Sequence, residues 1–465
     1  MSRYSSVGRL VCCATGCLAL IVLALAEPGH AQTPRIYGQG TAASGMGNAF
    51  SAQADDASAM HYNPAGMTQL GGVQLLTGSL FVGGATTHVS PTGQTTRGDR
   101  GGSVAWPPPT HFYLTANLKN IGLEKWTAGI GVTTPFGSLT EYQLTAPFRD
   151  SVVFNTLPMM DIKPTIAYKL NDQLSFGLGA DIYTFSTLFG EGHLEIKRRS
   201  SATGADSEIN GSGTGAGFNA SMLYTPLRNA EGKPMANIGV VYRSQAVVPL
   251  SGQFIVNGAA LADARANLVL PEIVTGAIAL WPVRDQEREW KLELDVDHVR
   301  WKSFRSTTIN LSTPNAAGTP ALPLALNWRD TYNVMIGTEY KWLKLERMPG
   351  WEVAARAGYM HIQTQMPDQT FNAGIPSADQ HVPSVGLGLL CKENGSFLGF
   401  KCGNLGLGSA KPKSIGLDLS YQLALYEDRN VAGQVSSLAA GTNAAINGTY
   451  RTTIHAGGVS LRFNF

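Results

Sequence analysis

Few side chains in this sequence are arranged for chemistry. Nine histidines and 33 acidic residues are scattered along the 465 residues. The serine-hydrolase motif Gly-x-Ser-x-Gly is absent, as are the zinc motif His-Glu-x-x-His and the phosphate-binding motif Gly-x-x-x-x-Gly-Lys. We therefore expect no catalytic residue, no metal site and no cofactor, and we do not expect an enzyme.

The first residues have the layout of a secretory leader. A basic start precedes an apolar core from Leu10 to Ala26 and a small-residue exit, which predicts a signal peptide over residues 1–31. A lipoprotein leader ending at Cys17 is a weaker alternative, because little apolar sequence precedes that cysteine and the apolar run continues past it. The exported chain would begin at residue 32.

Two cysteines, Cys391 and Cys402, remain in the exported chain. In an oxidising compartment two cysteines this close are expected to pair. They lack the Cys-x-x-Cys spacing of redox motifs, so we predict a structural disulfide that clips one short connection.

Composition excludes two classes of protein. The net charge is only +2, which gives no basic signature for nucleic-acid binding. No segment of the exported chain reaches the roughly 20 consecutive apolar residues that a membrane helix needs. A charged fraction of 15% is low and 53 glycines are many, which fits an exported β protein or a membrane barrel.

Alternation of apolar and polar residues is the main structural signal. In Trp290–Val296 and Ser414–Tyr426 every second residue is apolar and the others are polar or small. A barrel strand needs this pattern because one face meets lipid and the other meets the lumen. The final strand ends in alternating apolar residues and Phe465, which resembles the signal recognised by the barrel assembly machinery of bacterial outer membranes.

The rhythm of the connections favours a barrel over a soluble sandwich. We count fourteen candidate strands, with mostly short connections after even strands and mostly long ones after odd strands. Short turns on one side and long loops on the other are typical of outer-membrane barrels. We therefore predict an all-β fold, a 14-stranded antiparallel transmembrane barrel over residues 73–465, located in the outer membrane of a Gram-negative bacterium. The predicted strands are 73–82, 108–118, 126–136, 158–170, 174–186, 215–225, 235–244, 272–282, 289–301, 330–342, 351–362, 381–390, 413–426 and 452–465.

Residues 32–72 do not alternate and are rich in glycine and small residues. The stretch Ser51–Met60 is compatible with a short helix, and Pro64 would stop it from continuing. A segment this small cannot build its own core, so we expect it to pack inside the barrel as an N-terminal hatch.

At this point the sequence resembles the FadL family of outer-membrane transporters for long-chain fatty acids and toluene-type hydrocarbons. The resemblance begins with Ser-Gly-Met-Gly-Asn-Ala-Phe at 44–50, Asp-Asp-Ala-Ser at 55–58 and Asn-Pro-Ala at 63–65. It continues through Gly129–Gly137, Lys163–Gly177, Asp330–Tyr340 and Ile375–Val385, and so spans most of the exported chain.

The resemblance implies a plugged 14-stranded barrel that takes up hydrophobic molecules passively. Substrate would enter an apolar groove among the extracellular loops, pass to a lumenal pocket, and leave sideways through a hatch-gated gap in the wall. Long-chain fatty acids are the expected substrate and aromatic hydrocarbons the alternative. The resemblance also suggests a monomer surrounded by outer-membrane lipid and lipopolysaccharide.

The expected functional residues fall into two groups. Hatch and gating roles are expected for Asp55, Asp56, Asn63, Pro64 and Ala65. The apolar groove is expected to include the loop residues Val248, Leu250, Phe254, Ile255 and Leu268. These residues could instead belong to ordinary extensions of the strands above the membrane. Cations that could face a carboxylate ligand in the lumen are Arg243, Lys291 and Arg356, although lumenal charges more often neutralise one another.

Two alternatives from other classes stay open. An outer-membrane lipid hydrolase could use a serine and a histidine from separate strands without any local motif. A general porin would share the alternation and the terminal Phe465 but has no reason for the Asn-Pro-Ala segment. Ion conductance separates a porin, which conducts strongly, from a plugged transporter.

Overall fold

The computed structural model describes residues 35–98, 104–314, 320–405, 411–434 and 443–465. The predicted signal peptide lies outside the described residues, as does the start of the expected hatch. None of the described helices is long and apolar enough to cross a membrane.

Fourteen antiparallel strands form a closed barrel, which confirms the predicted fold. Each strand pairs with its neighbours in sequence, and the last strand pairs back with the first from Gln74 opposite Asn464 to Val89 opposite Thr449. Two short strands, Thr95–Gly98 and Arg429–Val431, extend the same sheet at its rim. The barrel strands are β1 Val73–Val89, β2 Thr110–Asn117, β3 Trp126–Thr133, β4 Met159–Lys169, β5 Leu174–Phe185, β6 Gly215–Arg228, β7 Pro234–Arg243, β8 Glu272–Arg284, β9 Arg288–Arg300, β10 Thr331–Trp342, β11 Trp351–Ile362, β12 Gln380–Lys392, β13 Ser414–Tyr426 and β14 Gly448–Asn464.

The faces of the strands follow the alternation of the sequence. Outward residues such as Leu178, Val385 and Leu387 are exposed, while their neighbours facing the lumen are buried. In β9 the buried inward set is Lys291, Glu293, Asp295 and Asp297. A membrane would cover the apolar outer face, so the barrel has a lipid-facing exterior and a charged interior.

The long connections form a second sheet that the sequence did not predict. Eight segments from these connections pair in one antiparallel sheet on the side of the barrel with the long loops. Its largest hairpin joins Ala246–Val256 to Ala259–Leu270. In order across the sheet its strands are Ala321–Ala325, Ser306–Leu311, Ala259–Leu270, Ala246–Val256, Asp206–Gly211, Leu194–Arg199, Phe154–Thr156 and Leu139–Glu141.

Residues 35–72, which we name the lumenal segment, are mostly buried against inward-facing residues of the barrel, apart from the exposed Gln69, Gly71 and Gly72 at the end. The segment contains two one-turn helices, Thr41–Ser44 and Ala59–Tyr62, and a 3-10 helix, Pro64–Gln69. The expected helix over Ser51–Met60 is therefore wrong except at its last two residues. Residues 50–53 run instead as turns whose backbone N–H groups are bound by barrel carboxylates.

Candidate functional site

Two carboxylates of β9 hold the middle of the lumenal segment. Asp295 accepts hydrogen bonds from the backbone nitrogens of Phe50 and Ser51 at 3.1 and 2.9 Å. Glu293 accepts from the nitrogens of Ala52 and Gln53 at 2.7 and 3.1 Å. Both carboxylates are buried, so they satisfy four N–H groups that would otherwise lie unbonded in the interior. The polar face of β9 was visible in the sequence, but its partner segment was not.

Glycines in the barrel wall let the lumenal segment approach the strands closely. A Cβ atom added at Gly358 of β11 would lie 2.1 Å from the carbonyl carbon of Met46. A Cβ atom added at Gly239 of β7 would lie 2.4 Å from the carbonyl oxygen of Ser51. A Cβ atom added at Gly177 of β5 would lie 2.5 Å from backbone atoms of Pro64 and Ala65. Any side chain at these positions would displace the segment, so the wall and the segment are complementary in shape.

The Asn-Pro-Ala residues lie at a junction between the lumenal segment and two strands. The Asn63 amide donates to the carbonyl oxygens of Ser51 and Met222 at 2.7 and 3.2 Å, and its oxygen accepts from the Ala65 nitrogen at 3.1 Å. The Ala65 nitrogen also donates to the Ser221 hydroxyl at 2.9 Å. Asn63 thus joins two parts of the segment to the wall, whatever its role in gating.

The two expected hatch carboxylates have different surroundings. Asp55 forms an ion pair with Lys341 of β10 at 3.2 Å and accepts from Gln53. Asp56 is buried and accepts from the Ser58 nitrogen and hydroxyl at 2.8 and 2.6 Å, which closes a local turn. Asp55 therefore links the segment to the barrel, and Asp56 shapes the segment itself.

The three lumenal cations singled out in the sequence are all paired with carboxylates. Arg243 contacts Asp181 at 3.2 Å. Lys291 contacts Glu293 at 2.8 Å. Arg356 bridges Glu339 and Asp418, at 2.7 Å to each. Removing one partner of a buried pair would leave an uncompensated charge, so these residues hold the lumen together electrostatically.

A cavity of about 630 Å³ lies on the loop side of the lumenal segment. Arg35, Ile36 and Tyr37 form its floor, and its walls come from β1, the loops after β1, β3 and β5, and the upper ends of β11–β14. Most of the wall side chains are apolar, among them Leu80, Phe136, Leu157, Met159, Met360, Ile362, Val382, Ala424 and Ile454. The cavity is therefore an apolar chamber with a polar floor.

One part of the barrel wall is incomplete beside this chamber. Strands β2 and β3 span eight residues each, whereas β1 spans 17. The regular ladder between β1 and β2 ends at Ser79 opposite Thr110. Beyond it two backbone hydrogen bonds remain, from Leu80 N to the Pro109 carbonyl at 2.8 Å and from Ala105 N to the Val82 carbonyl at 2.7 Å, because the prolines 107–109 have no N–H to donate. Trp106 and Leu188, which are 77% and 81% exposed, line the cavity at this place. Two side chains that line the chamber above β2 and β3 are therefore highly exposed.

The floor of the chamber carries a guanidinium group that sequence reasoning did not single out. Nη1 of Arg35 donates to Asp297 at 2.5 Å and to the Tyr37 hydroxyl at 3.1 Å. The guanidinium also lies 4.5 Å from the centre of the Tyr37 ring. Both hydrogen bonds seen among the described residues use Nη1. Arg35 lines the chamber and also a smaller cavity of about 30 Å³, which Asp297 lines as well.

None of the eight expected ligand residues, all of which the structure describes, lines the chamber. Val248, Leu250 and Leu268 belong to an apolar cluster with Phe136 that includes loop and strand residues. Phe254 packs on a smaller cluster within the second sheet, and its neighbour Ile255 pairs with Ala260 there. These loop residues form the hairpin of the second sheet, which agrees with the strand-extension interpretation.

Hydrogen bonds from Arg429 hold the connection between β11 and β12 on the loop side of the barrel. We name Arg429, Asp368 and Asp379 the loop-side latch. Arg429 donates to Asp368 at 2.6 Å and to the Met366 and Ser377 carbonyl oxygens at 2.8 and 3.1 Å. Asp379, at the end of this connection, is buried and accepts from the Thr364 nitrogen at 3.0 Å. Burial raises the pKa of the Asp379 carboxyl to about 7.

The closed 14-stranded barrel with an apolar outer face and a charged interior has the architecture of an outer-membrane protein. Residues 27–397 match the family of outer membrane protein transport proteins OMPP1/FadL/TodX. The chain belongs to this family, and the expected family assignment and outer-membrane location are confirmed.

Curated relatives and solved structures agree with this assignment. The chain is 24% identical over 392 residues to the long-chain fatty acid transport protein of Escherichia coli strain K12, covering 74% of this chain and 81% of that protein. The protein of the same name from Salmonella typhi is 24% identical over 375 residues, covering 74% and 81%.

Two crystal structures share the fold. A Pseudomonas aeruginosa FadL homologue superposes with a TM-score of 0.67 at 15% identity, covering 94% of this chain and all of that one (100%). The Ralstonia pickettii toluene transporter TbuX gives a TM-score of 0.58 at 15% identity, covering 92% and 98%.

Proposed function

We propose that this protein takes up long-chain fatty acids passively across the outer membrane, with residues 32–72 as its hatch and residues 73–465 as its barrel. The observation that carries the proposal is the apolar chamber of about 630 Å³ next to the lumenal segment. The chamber would open to the membrane above β2 and β3, where the exposed Trp106 and Leu188 line it. The protein acts as a binder and conduit rather than an enzyme. It works as a monomer in a leaflet of lipopolysaccharide, after insertion by the barrel assembly machinery.

The size of the chamber favours a long chain over a single aromatic ring. An apolar cavity of about 150 Å³ is enough to hold benzene. The chamber here is about 630 Å³ and suits a flexible ligand many carbons long. Each CH₂ buried there would contribute roughly 0.8 kcal/mol, so an acyl chain would bind tightly without polar contacts along its length. The names of the curated relatives support the same substrate class.

The floor of the chamber suits a carboxylate. The Nε and Nη2 groups of Arg35 would donate to the acid, while the bond from Nη1 keeps Asp297 neutralised. A hydrocarbon without an acid group would gain nothing from Arg35. This residue therefore distinguishes the two substrate classes.

The exit route follows from the interrupted wall. A ligand leaving above β2 and β3 passes exposed Trp106 and Leu188 and enters the hydrocarbon of the membrane, without crossing water. A shift of the lumenal segment at Arg35–Tyr37 would change the floor and release the bound acid. Capture, binding and release would then all need only apolar contacts and one charged floor residue.

The test is uptake of labelled oleate and labelled toluene by cells. Cells would express the wild type, an Arg35→Gln/Asp297→Asn variant, an Asn63→Ala variant or an empty vector. The paired change keeps the lumen neutral while removing the guanidinium, and its control is Arg300→Gln/Glu272→Gln, an exposed pair at 3.1 Å on the barrel rim. Loss of a charge-assisted hydrogen bond of about 1.5–3 kcal/mol should weaken oleate binding about ten- to a hundredfold.

We expect the paired floor variant to lose oleate uptake, and the rim control to keep it. Loss of uptake in Asn63→Ala, with the barrel still folded, would support gating by the hatch. Toluene uptake without oleate uptake would replace the fatty acid with an aromatic substrate. Uptake of neither, together with large ion conductance in bilayers, would sink the transporter proposal in favour of a porin.

A further inference from the structure

The disulfide Cys391–Cys402 fixes a small hairpin on the short-turn, periplasmic side of the barrel. Ser396–Phe397 pairs with Phe400–Lys401, and Leu398 and Gly399 form the two-residue turn between them. The hairpin emerges between β12 and β13. Its large apolar side chains are unusually open, with Phe397, Leu398 and Phe400 exposed by 54%, 82% and 66%.

The tip residue is strained as well as apolar. Leu398 has a φ of 49° and Gly399 a φ of 86°. A two-residue turn with both φ angles positive strongly prefers asparagine, aspartate or glycine, because a bulky side chain is sterically strained in this region. Leu398 is both strained and exposed, so its side chain contributes little to the stability of the fold. We therefore expect its apolar surface to contact something outside this chain.

The hairpin lies against the lipid-facing side of the barrel. The Phe397 ring packs edge to face on Trp351 with ring centres 6.2 Å apart, and the Trp351 indole nitrogen donates to the Ser396 carbonyl oxygen at 3.0 Å. Trp351 pairs with Cys391 at the first position of β11, where side chains alternate outward with the exposed Ala355 and Tyr359.

Trp351 belongs to a girdle of aromatic residues around the barrel, at the ends of the strands that the short turns connect. Trp126 contacts Tyr168 on β3 and β4, and Tyr340 contacts Trp342 on β10. Such residues mark the level of the lipid headgroups in outer-membrane barrels. The hairpin therefore begins at the edge of the membrane, next to the inner leaflet.

The connection that contains the hairpin carries more exposed lysines than exposed acidic residues, of which Glu393 is one. Lys401 on the hairpin and Lys411 and Lys413 in the following connection are exposed. An apolar tip in a connection with three exposed lysines is suited to a surface of anionic phospholipid, where the aromatic rings enter the acyl boundary and the ammonium groups meet phosphates. A protein partner would have no reason to coincide with the membrane edge of the barrel.

We propose that the hairpin Ser396–Lys401 inserts its tip into the periplasmic leaflet of the outer membrane and anchors this side of the barrel to anionic phospholipid. The disulfide holds the tip in the orientation set by Trp351. Insertion is independent of the transported substrate, so this inference does not depend on the proposed function.

Photo-crosslinking of the purified full-length chain tests the anchor. A photoreactive p-benzoylphenylalanine would replace Leu398, or in a matched control Gln286, which is exposed at the tip of another periplasmic turn. The protein would be placed in phosphatidylethanolamine–phosphatidylglycerol vesicles. We expect about ten times more phospholipid adduct from position 398 than from 286, equivalent to about 1.4 kcal/mol of preference for the membrane. Equal yields, or adducts with a second copy of the chain instead of lipid, would overturn the proposal.

A second variant separates anchoring from turn structure. Leu398→Asn places a residue that tolerates positive φ at the tip, so the turn keeps its fold. With the crosslinker at Phe400, we expect this variant to lose most of its phospholipid adduct, as should Cys391→Ser/Cys402→Ser. Retention of the full adduct by both variants would show that neither the apolar tip nor the clip positions the hairpin in lipid.

Discussion

Asp295→Ala should loosen the lumenal segment from the barrel wall. The Asp295 carboxylate binds the backbone nitrogens of Phe50 and Ser51 at 3.1 and 2.9 Å. Leaving a buried N–H group unsatisfied costs about 1–3 kcal/mol, so two of them cost about 2–6 kcal/mol. At 1.4 kcal/mol per factor of ten, the population with the segment detached should rise between about thirtyfold and about 10⁴-fold.

Single-channel conductance in planar bilayers measures this change, because a detached segment leaves the lumen open to ions. Hydrogen exchange at residues 50–53 reports the same event locally. Asp295→Asn is the matched control, since its amide oxygen can still accept both bonds, and it should behave close to wild type. If Asp295→Ala matches wild type in both conductance and exchange, the carboxylate does not hold the segment and the reasoning fails.

Three further outcomes are expected from the same structure. Gly358→Ala would put a methyl group 2.1 Å from the backbone of the lumenal segment and should raise conductance, whereas Gly276→Ala, which meets nothing within 4 Å, should not. Ala424→Trp, which fills part of the chamber, should lower oleate uptake at least tenfold, because the acyl chain loses roughly 2–3 kcal/mol of binding free energy from buried CH₂ groups. The control Ala355→Trp, on the outward face, should leave oleate uptake unchanged. Because the folded pKa of Asp379, about 7, lies above that of an unfolded carboxyl, the loop-side latch should be most stable below about pH 4 and lose stability as pH rises through about 7. Amide exchange across 363–379 should show this slope in wild type, and a slope that persists in Asp379→Asn would exclude Asp379 as its source.

The barrel could be predicted because the sequence of each strand alternates between residues suited to lipid and residues suited to the lumen. Alternation over about ten residues reports a lipid face and a lumenal face, and every predicted strand from 73 onward overlaps an observed one. The strand ends were less certain. The first strand runs to Val89 and the last begins at Gly448, beyond the predicted limits, because the two strands continue to pair with each other, as Val89 with Thr449, where the sequence no longer alternates apolar and polar residues.

The second sheet and the chamber could not be predicted in the same way. Residues such as Val248 and Leu250 are apolar because they pack under loops, and nothing in their local pattern separates that burial from ligand contact. The chamber wall gathers single residues from many strands and loops, while its floor, Arg35–Tyr37, precedes the barrel altogether. The helix expected at Ser51–Met60 does not continue past its first turn because Ala54 has a φ of 39°, a left-handed conformation that local alternation and composition do not reveal.

The division of the lumen into a charged half and an apolar half bears on how a hydrophobic molecule would leave. The lumenal segment occupies the half that contains Glu293, Asp295, Arg356 and their partners, and the chamber occupies the other half. An acyl chain moving toward the periplasm would have to lie among buried ion pairs and separate them, at a cost of several kcal/mol for each exposed charge. Moving sideways past Trp106 it would exchange one apolar surrounding for another. The distribution of charge therefore supports the proposed lateral release, in which the hatch would control the chamber floor rather than open a pore.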